Sequence, residues 1–280
     1  YDTMRIMLGF FFKKNFYDGW DNVLFIFVPN LILDVFFLIG GGLFYLGTKV
    51  NGTAGIIIWG CTVLLVITAG SILSLAWAES AAKIADYESA EIKPFFTSLK
   101  TCIKDGILYG IVLFAVLLVS AAGIIFYFRP VSGATLPFIG LMAGSVFFWI
   151  MLTIISALFW YPSLRAIMHN PFKKSIKKCF IILFDNIGSC VVLGIYNFFL
   201  LIISIVMVGL APGLGGIGLS RVNFLRILLK KYDYLEIAEK EAAGKKPVFR
   251  NKIPWQELLK EDIEITGSRS IKSFFMPWKE

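Results

Sequence analysis

Long apolar runs separated by short polar and basic segments dominate the chain. Five of these runs are long enough to cross a bilayer as helices, because each helical residue adds 1.5 Å and the hydrocarbon core is about 30 Å thick. They predict an all-α polytopic membrane protein. The predicted spans cover residues 23–46, 55–77, 106–128, 136–161 and 180–210.

A sixth apolar segment, at residues 214–229, is interrupted by polar side chains. Ser220, Arg221, Asn223 and Arg226 lie within it, and lipid does not accept such groups on a helix surface. We therefore predict a sixth helix that is buried within the bundle. The fold prediction is about six transmembrane helices arranged as three hairpins, with the turn near Pro212 outside.

Two basic segments resemble each other and precede outward-going spans. Residues 94–102 and 171–179 match at Pro, Phe, Ser, Lys and Cys, and each places apolar residues on one helical face. Such amphipathic segments predict interfacial elbow helices that introduce hairpins. The predicted divisions are an interfacial N-terminal helix at 1–22, a transmembrane domain at 23–231 and a cytoplasmic tail at 232–280. In the tail, residues 232–243 are predicted to continue the sixth helix as a polar helix, and residues 254–263 to form a short helix.

Composition and charge support a membrane protein and indicate its orientation. Hydrophobic residues form 58% of the chain and charged residues 16%, with a net charge of +8. The basic residues separate the apolar runs and are not interleaved with aromatics on one face, which argues against a nucleic-acid partner. Their distribution follows the positive-inside rule if both termini are cytoplasmic. The lipid bilayer is thus the first expected partner.

Five polar residues in the apolar segments form a predicted intramembrane cluster. Equal depth along the spans suggests pairing Asp34 with Arg221 and Asp185 with Arg226. One interpretation is a polar site or a proton-linked path. The other, which we favour, is a set of buried salt bridges that only fix helix packing. The cluster comprises Asp34, Asp185, Asn186, Arg221 and Arg226.

Other motifs carry little chemistry. Residues 213–218 fit the G-x-G-x-x-G dinucleotide pattern but follow no strand, so a bend is the better interpretation. His169 has no companion ligands at metal spacing, and we predict neither a metal site nor a cofactor. A membrane enzyme would have to use Glu79, Asp105 or His169. No nucleophile and base can be assembled from them, so we predict a non-enzymatic protein.

Three segments together resemble the YesL-like family of bacterial membrane proteins. They are residues 14–22 (Lys-Asn-Phe-Tyr-Asp-Gly-Trp-Asp-Asn), 160–162 (Trp-Tyr-Pro) and 170–178 (Asn-Pro-Phe-Lys-Lys-Ser-Ile-Lys-Lys). The resemblance implies a helical bundle of the bacterial cytoplasmic membrane, often encoded beside carbohydrate ABC importers. It supplies no catalytic residues. The tail at 232–280 departs from the family pattern.

These observations lead to two functional expectations. The first is an accessory or interaction subunit of a membrane transport system such as a carbohydrate ABC importer, with an ABC transporter subunit as its partner. Phe274, Phe275 and Trp278 in the tail would dock that partner, since exposed aromatics mark interaction sites. The alternative is a solute or ion transporter that uses the intramembrane Asp and Arg residues.

Overall fold

The computed structural model describes residues 2–128, 138–241 and 253–267, and all regular structure in these ranges is helical. Within each described range the helices follow one another with short connections, as the alternation of apolar and basic segments predicts. They are α1 (Asp2–Asp21), α2 (Val23–Lys49), α3 (Thr53–Ala85), α4 (Ile92–Thr101), α5 (Ile103–Phe128), α6 (Phe138–Leu158), α7 (Tyr161–Met168), α8 (Phe172–Asp185), α9 (Ile187–Val206), α10 (Gly213–Glu241), α11 (Trp255–Leu258) and α12 (Lys260–Thr266).

Five stretches of the described chain are long and apolar enough to cross a membrane. Much of their surface is apolar and exposed, as expected for helices that face lipid. The prediction of an all-α, multi-pass membrane protein is therefore confirmed at this level. The five stretches are Val23–Lys49, Thr53–Ala85, Ile103–Tyr127, Gly140–Met168 and Ile187–Val206.

The helix predicted as a sixth span, α10, begins at an unexpected place. Its first turn contacts Asn30, which lies about 10 Å from the start of α2. It also contacts Trp77, which lies about 12 Å before the end of α3. A sixth span that returns from the outside would begin near Lys49 and Thr53, at the opposite end of the α2–α3 pair. The turn near Pro212 therefore lies against the first part of α2, where Asn30 binds it directly, and its outside position stays a prediction.

Helices α3 and α5 approach closely at two glycines. A Cβ atom on Gly106 would lie 2.7 Å from the Cα of Ile72, and one on Gly110 would lie 2.7 Å from the Cα of Thr68. Neither distance leaves room for a side chain. The small-xxx-small spacing of these glycines thus marks a packing surface.

Both elbow segments are helices with one buried face. In α4 and the following turn, Phe95 and Cys102 are fully buried, and in α8 Ser175 and Cys179 are fully buried. The repeated positions in the two segments therefore bury equivalent cysteines. Burial raises the pKa of the Cys179 thiol to about 12, so this thiol stays protonated at neutral pH.

The chain divides into two compact units. Unit 1 comprises Tyr1–Asp21 and Asn223–Glu280, and unit 2 comprises Asn22–Val222. In unit 1, Phe11 packs edge to face against Phe224 with ring centroids 5.0 Å apart, and Lys14 is fully buried. Helix α1 therefore contributes to the core of this unit. The interfacial role of residues 1–22 stays a prediction.

Candidate functional site

Unit 2 contains a cavity of about 290 Å³, which we call the Arg221 cavity. Its walls come from α2, α3 and α5, the residues around the α6–α7 turn and the first two turns of α10. Most of the lining is apolar, and the polar groups are few, as in many ligand pockets. The polar residues in the lining are Asn30, Ser71, Ser74, Trp77, Tyr109, Ser163 and Arg221.

Asn30 positions the start of α10 at the cavity. Its amide nitrogen donates to the carbonyl oxygens of Leu210 and Pro212 at 2.9 and 3.0 Å. Its side-chain oxygen accepts from the backbone N–H of Gly215 at 2.7 Å. Helix starts leave backbone N–H groups without intrahelical partners, and here a side chain of α2 satisfies one of them. Asn30 therefore acts as a cap supplied by another helix.

The glycines of the 213–218 segment let α10 lie directly against its neighbours. Gly213 has a positive φ of 60° and would collide with Asn30 if it carried a Cβ. A Cβ on Gly218 would lie 2.7 Å from the Trp77 ring, and Trp77 Nε1 donates to the carbonyl of Gly215 at 2.7 Å. The segment is the packed start of a helix, with no strand before it in the described chain.

Arg221 is half-buried and is held by backbone carbonyl groups. Its Nη1 donates to the carbonyl of Phe159 at 2.8 Å, and its Nε lies 3.3 Å from the carbonyl of Ile217. The guanidinium carbon also lies 5.5 Å from the centre of the Phe159 ring. These contacts fix the plane of the guanidinium. Within the described residues its remaining nitrogen, Nη2, has no hydrogen-bond partner, which leaves two N–H donors for a ligand.

The predicted pairing of Arg221 with Asp34 is wrong. No ion pair within the described ranges includes either residue, and Asp34 instead lies against Gly209, where an added Cβ would be 2.6 Å from Asp34 Oδ1. Both residues were placed by depth along their helices, but depth does not decide the direction in which a side chain points. The charge of Arg221 is therefore not balanced by a carboxylate in the part of the chain described.

Ser71 is the second unusual polar group in the lining of the cavity. Its side chain is buried, and its hydroxyl has no hydrogen-bond partner among the described residues. Hydroxyl groups elsewhere in the spans donate to the carbonyl four residues earlier, as Thr62, Thr68 and Ser120 do. An unsatisfied buried hydroxyl costs about 1–3 kcal/mol, so Ser71 is available to a polar group in the cavity.

A second charged cluster joins α3, α5 and α7. Arg165 donates to Asp105 at 2.8 Å and to Glu79 at 3.0 Å. The thiol of Cys102 lies 3.5 Å from Glu79, and burial together with that carboxylate raises the pKa of the thiol to about 11. Glu79 and Asp105, which the sequence offered as weak catalytic candidates, here share one arginine. Such an arrangement fixes three helices relative to each other.

Arg226 belongs to unit 1, where it binds the carboxylate of Asp262, and its pairing with Asp185 stays a prediction. Arg226 donates to Asp262 at 2.9 Å, and Lys230 donates to the second oxygen of the same carboxylate. The burial of Asp262 acts to raise its pKa, but the hydrogen bonds from Lys230 and Arg226 outweigh that effect and lower it. Asp262 therefore connects α12 to α10.

The remaining predicted residues lie elsewhere. Asp185 ends α8, and Asn186 forms the junction with α9, where its side chain donates to the carbonyl of Ile182 at 3.1 Å. His169 is an exposed residue with a positive φ of 47° at the end of α7. No cluster of potential metal ligands occurs in the described ranges. The tail residues Phe274, Phe275 and Trp278 lie outside the described residues.

Sequence reasoning missed three residues that shape the cavity. They are Asn30, Ser71 and Trp77, none of which belongs to the polar cluster that the sequence predicts. An amide inside an apolar run was the available signal for Asn30, because a buried amide needs several partners. No comparable signal marks Ser71, since serines are common in transmembrane helices.

No family model, curated protein or solved structure matches this chain. The class of protein is described from its fold and its cavity. The described chain is an all-helical, multi-pass membrane protein with a mostly apolar cavity that contains one arginine without a carboxylate partner.

Proposed function

We propose that the protein is a membrane transport protein that binds an anionic solute at Arg221. The observation that carries the proposal is the half-buried guanidinium of Arg221 in the wall of the cavity, with no carboxylate partner among the described residues. Ionisable groups in membrane helices that are not used for packing usually mark a substrate or ion pathway. The contacts of Arg221 with two carbonyl groups orient it but leave its charge available.

The electrostatics of the site favour an anion over a neutral ligand. The carbonyls of Phe159 and Ile217 contribute partial charges only, while the surrounding lining is largely apolar. In such a medium of low polarity an attraction between opposite charges is stronger than in water. An anion that places an oxygen against Nη2 would form a charge-assisted hydrogen bond.

The start of α10 supports the same proposal. The helix begins beside the cavity within the length of the α2–α3 pair, and Gly215 and Gly218 belong to both the helix and the cavity lining. Helices that begin inside a membrane bundle are a common way to build solute sites in transporters. The positive end of the α10 dipole would favour an anion at this position.

Binding measurements with the purified protein test the proposal. Wild-type protein in phosphatidylcholine nanodiscs is titrated with acetate, octanoate, inorganic phosphate, octyl phosphate and neutral octanol, and the thermal unfolding midpoint is followed. We expect at least one anion to raise the midpoint, octanol to have a smaller effect, and Arg221→Gln to weaken anion binding about tenfold or more. Arg221→Lys should retain part of the binding.

The matched control is Arg5→Gln, which removes an exposed arginine of α1. It should bind the anions as the wild type does. Flux of the bound anion into proteoliposomes should then be lost in Arg221→Gln and kept in Arg5→Gln. Equal anion binding by the wild type and Arg221→Gln would overturn the proposed function.

A second candidate function is the accessory subunit of a transporter in the bacterial cytoplasmic membrane, with both termini in the cytoplasm. The observation that favours it is the compact unit 1, in which residues 253–267 fold onto α10 through Asp262 and onto α1 through Lys13, which donates to the carbonyl of Gly267 at 3.0 Å. A folded C-terminal segment of this kind suits partner docking.

Affinity purification in mild detergent tests this second candidate. We expect an ABC transporter subunit to copurify with the full-length chain and to be lost when the chain ends after Lys231. Asp262→Asn, which keeps the whole tail but removes the carboxylate bound by Arg226 and Lys230, should reduce recovery of that subunit. Recovery of the same subunit with all three proteins would rule out docking through unit 1.

A further inference from the structure

The lining of the Arg221 cavity is polar at one end and apolar at the other. Asn30, Trp77, Tyr109 and Arg221 lie at one end, where the backbone of α10 also contacts the cavity. From there the cavity extends about 12 Å along α2, from Pro29 to Phe37. On α5 it extends a similar distance, from Tyr109 to Leu117.

The other end of the cavity carries apolar side chains only. Phe37, Val66 and Leu117 line it, and Leu33 and Leu113 lie between them and the polar end. The site therefore has a polar head region and an apolar channel. A small hydrated anion would use the head region and leave the channel without a function, whereas a ligand with an apolar chain would fill both.

The wall of the cavity reaches the lipid-facing surface of the bundle. Phe37, Leu117 and Phe159 line the cavity, yet their side chains are 52%, 42% and 50% exposed. Large apolar side chains on spanning helices are exposed to lipid. A ligand can therefore enter from the bilayer without passing through water.

We propose that the ligand of the Arg221 cavity is a single-chain amphiphile with an anionic head, taken from the bilayer, whose head contacts Arg221 and Ser71 and whose chain lies between α2, α3 and α5. The amphiphile proposal rests on the proposed function, because it specifies which class of anion binds at Arg221. The volume of about 290 Å³ is at the lower limit for small-molecule pockets, which favours a ligand with one chain over a phospholipid with two. The head is a carboxylate or a phosphate.

The hydroxyl of Ser71 supports the proposal independently of Arg221. Its hydroxyl is buried, lines the cavity and lacks a partner in the described structure. It lies on α3 between Trp77 at the polar end and Val66 at the apolar end. A head oxygen held by Nη2 of Arg221 and the Ser71 hydroxyl would satisfy both groups at once.

Photo-crosslinking tests the proposal in the full-length protein in phosphatidylcholine nanodiscs. The probe is laurate with a diazirine at the end of its chain, and the labelled peptides are found by mass spectrometry. We expect labelling at Phe37, Val66 or Leu117. Laurate and dodecyl phosphate should compete, whereas acetate, inorganic phosphate, dodecanol and phosphatidylglycerol should compete at least tenfold more weakly. Competition should strengthen about fourfold for each methylene from octanoate to laurate.

Two neighbouring leucines on α5 supply a matched pair of variants. Leu117 lines the cavity, while Leu118 is 58% exposed and lies outside it, so Leu117→Trp should reduce labelling about tenfold and Leu118→Trp should leave it unchanged. Arg221→Gln should abolish labelling. Ser71→Ala should weaken it severalfold.

The outcomes separate the two proposals. If acetate or inorganic phosphate binds as tightly as laurate and both need Arg221, the amphiphile is wrong and the proposed function stands. If labelling is unaffected by Arg221→Gln, or no anion binds, the proposed function fails as well. Equal labelling of Leu117→Trp and Leu118→Trp would place the chain outside the cavity and overturn the inference.

Discussion

Asn30 Oδ1 accepts a hydrogen bond from the backbone N–H of Gly215 at 2.7 Å and thereby connects the first part of α2 to the first turn of α10. The same side chain donates to the carbonyls of Leu210 and Pro212. One buried amide thus satisfies three backbone groups, two carbonyls and one N–H. The position of α10, and with it that of Arg221, depends on these bonds.

Replacement of Asn30 by alanine should therefore destabilise the protein. It leaves the two carbonyls and the N–H of Gly215 without these partners, and we expect a loss of about 2–4 kcal/mol in the free energy of unfolding. Unfolding in mixed micelles by increasing sodium dodecyl sulfate measures this loss. Asn51→Ala, at an exposed loop residue, should change the free energy by less than about 0.5 kcal/mol. A similar small effect for Asn30→Ala would contradict the role of the cap.

The contact of α3 with α5 should depend on the absence of a side chain at Gly110. A Cβ there would be 2.7 Å from the Cα of Thr68, so Gly110→Ala must push two helix backbones apart. We expect it to cost about 1–3 kcal/mol, the usual range for overpacking. Gly60→Ala is the control, since nothing lies within 4 Å of the added atom. The same unfolding assay should find Gly60→Ala neutral or slightly stabilising, and the reverse order of the two variants would refute the close approach.

Arg165 should matter more than either of its carboxylate partners. Its replacement by glutamine leaves Glu79 and Asp105 facing each other without a cation, and we expect a loss of about 1–3 kcal/mol in the free energy of unfolding. The side chain of Asp105 is 37% exposed, so Asp105→Asn should cost less than Glu79→Gln. The triple variant that neutralises all three groups should recover part of the loss. Additive losses in the triple variant would show that the three groups do not interact.

The stability of unit 1 should depend on pH through Asp262. Its pKa is lower in the folded protein than the usual value of about 3.8, so the charged carboxylate contributes stability above pH 4, and this contribution is lost as the pH falls through the folded pKa. We expect Asp262→Asn to be less stable than the wild type at pH 7, with protection of α11 and α12 from hydrogen exchange reduced.

The difference between the two proteins should begin to shrink as the pH falls below about 4, and it should disappear only below the folded pKa, where the wild-type carboxyl is protonated in the folded protein as well. Denaturation at about pH 7, 5, 3 and 2 measures this convergence. Glu236→Gln is a suitable control, since the partner of Glu236 among the described residues is the exposed Lys240 one helical turn away. A constant difference across the pH range would show that the charge of Asp262 is not the source of its effect.

Much of the architecture is predictable from local pattern. The length of the five apolar runs determines that they form helices able to cross a membrane, since a backbone in lipid must satisfy its own hydrogen bonds. The two elbows are helices with the buried faces expected from their periodicity. These features depend on residues a few positions apart in the chain, which is why they can be predicted from the sequence.

The candidate site depended on tertiary structure. Position along a helix suggested that Arg221 meets Asp34, but rotation about the helix axis and the choice of neighbouring helix decided otherwise, and Arg221 binds the carbonyl of Phe159. The partner of Arg226 was equally unpredictable from the sequence: Arg226 binds Asp262, which lies 36 residues further along the chain, and no periodicity connects the two. The cavity arises because Asn30 holds the start of α10 between α2 and α3, a contact between residues 185 positions apart. The sequence pattern shows which polar residues need a hydrogen-bond or charge partner, and only the packing of the helices decides which distant group is that partner.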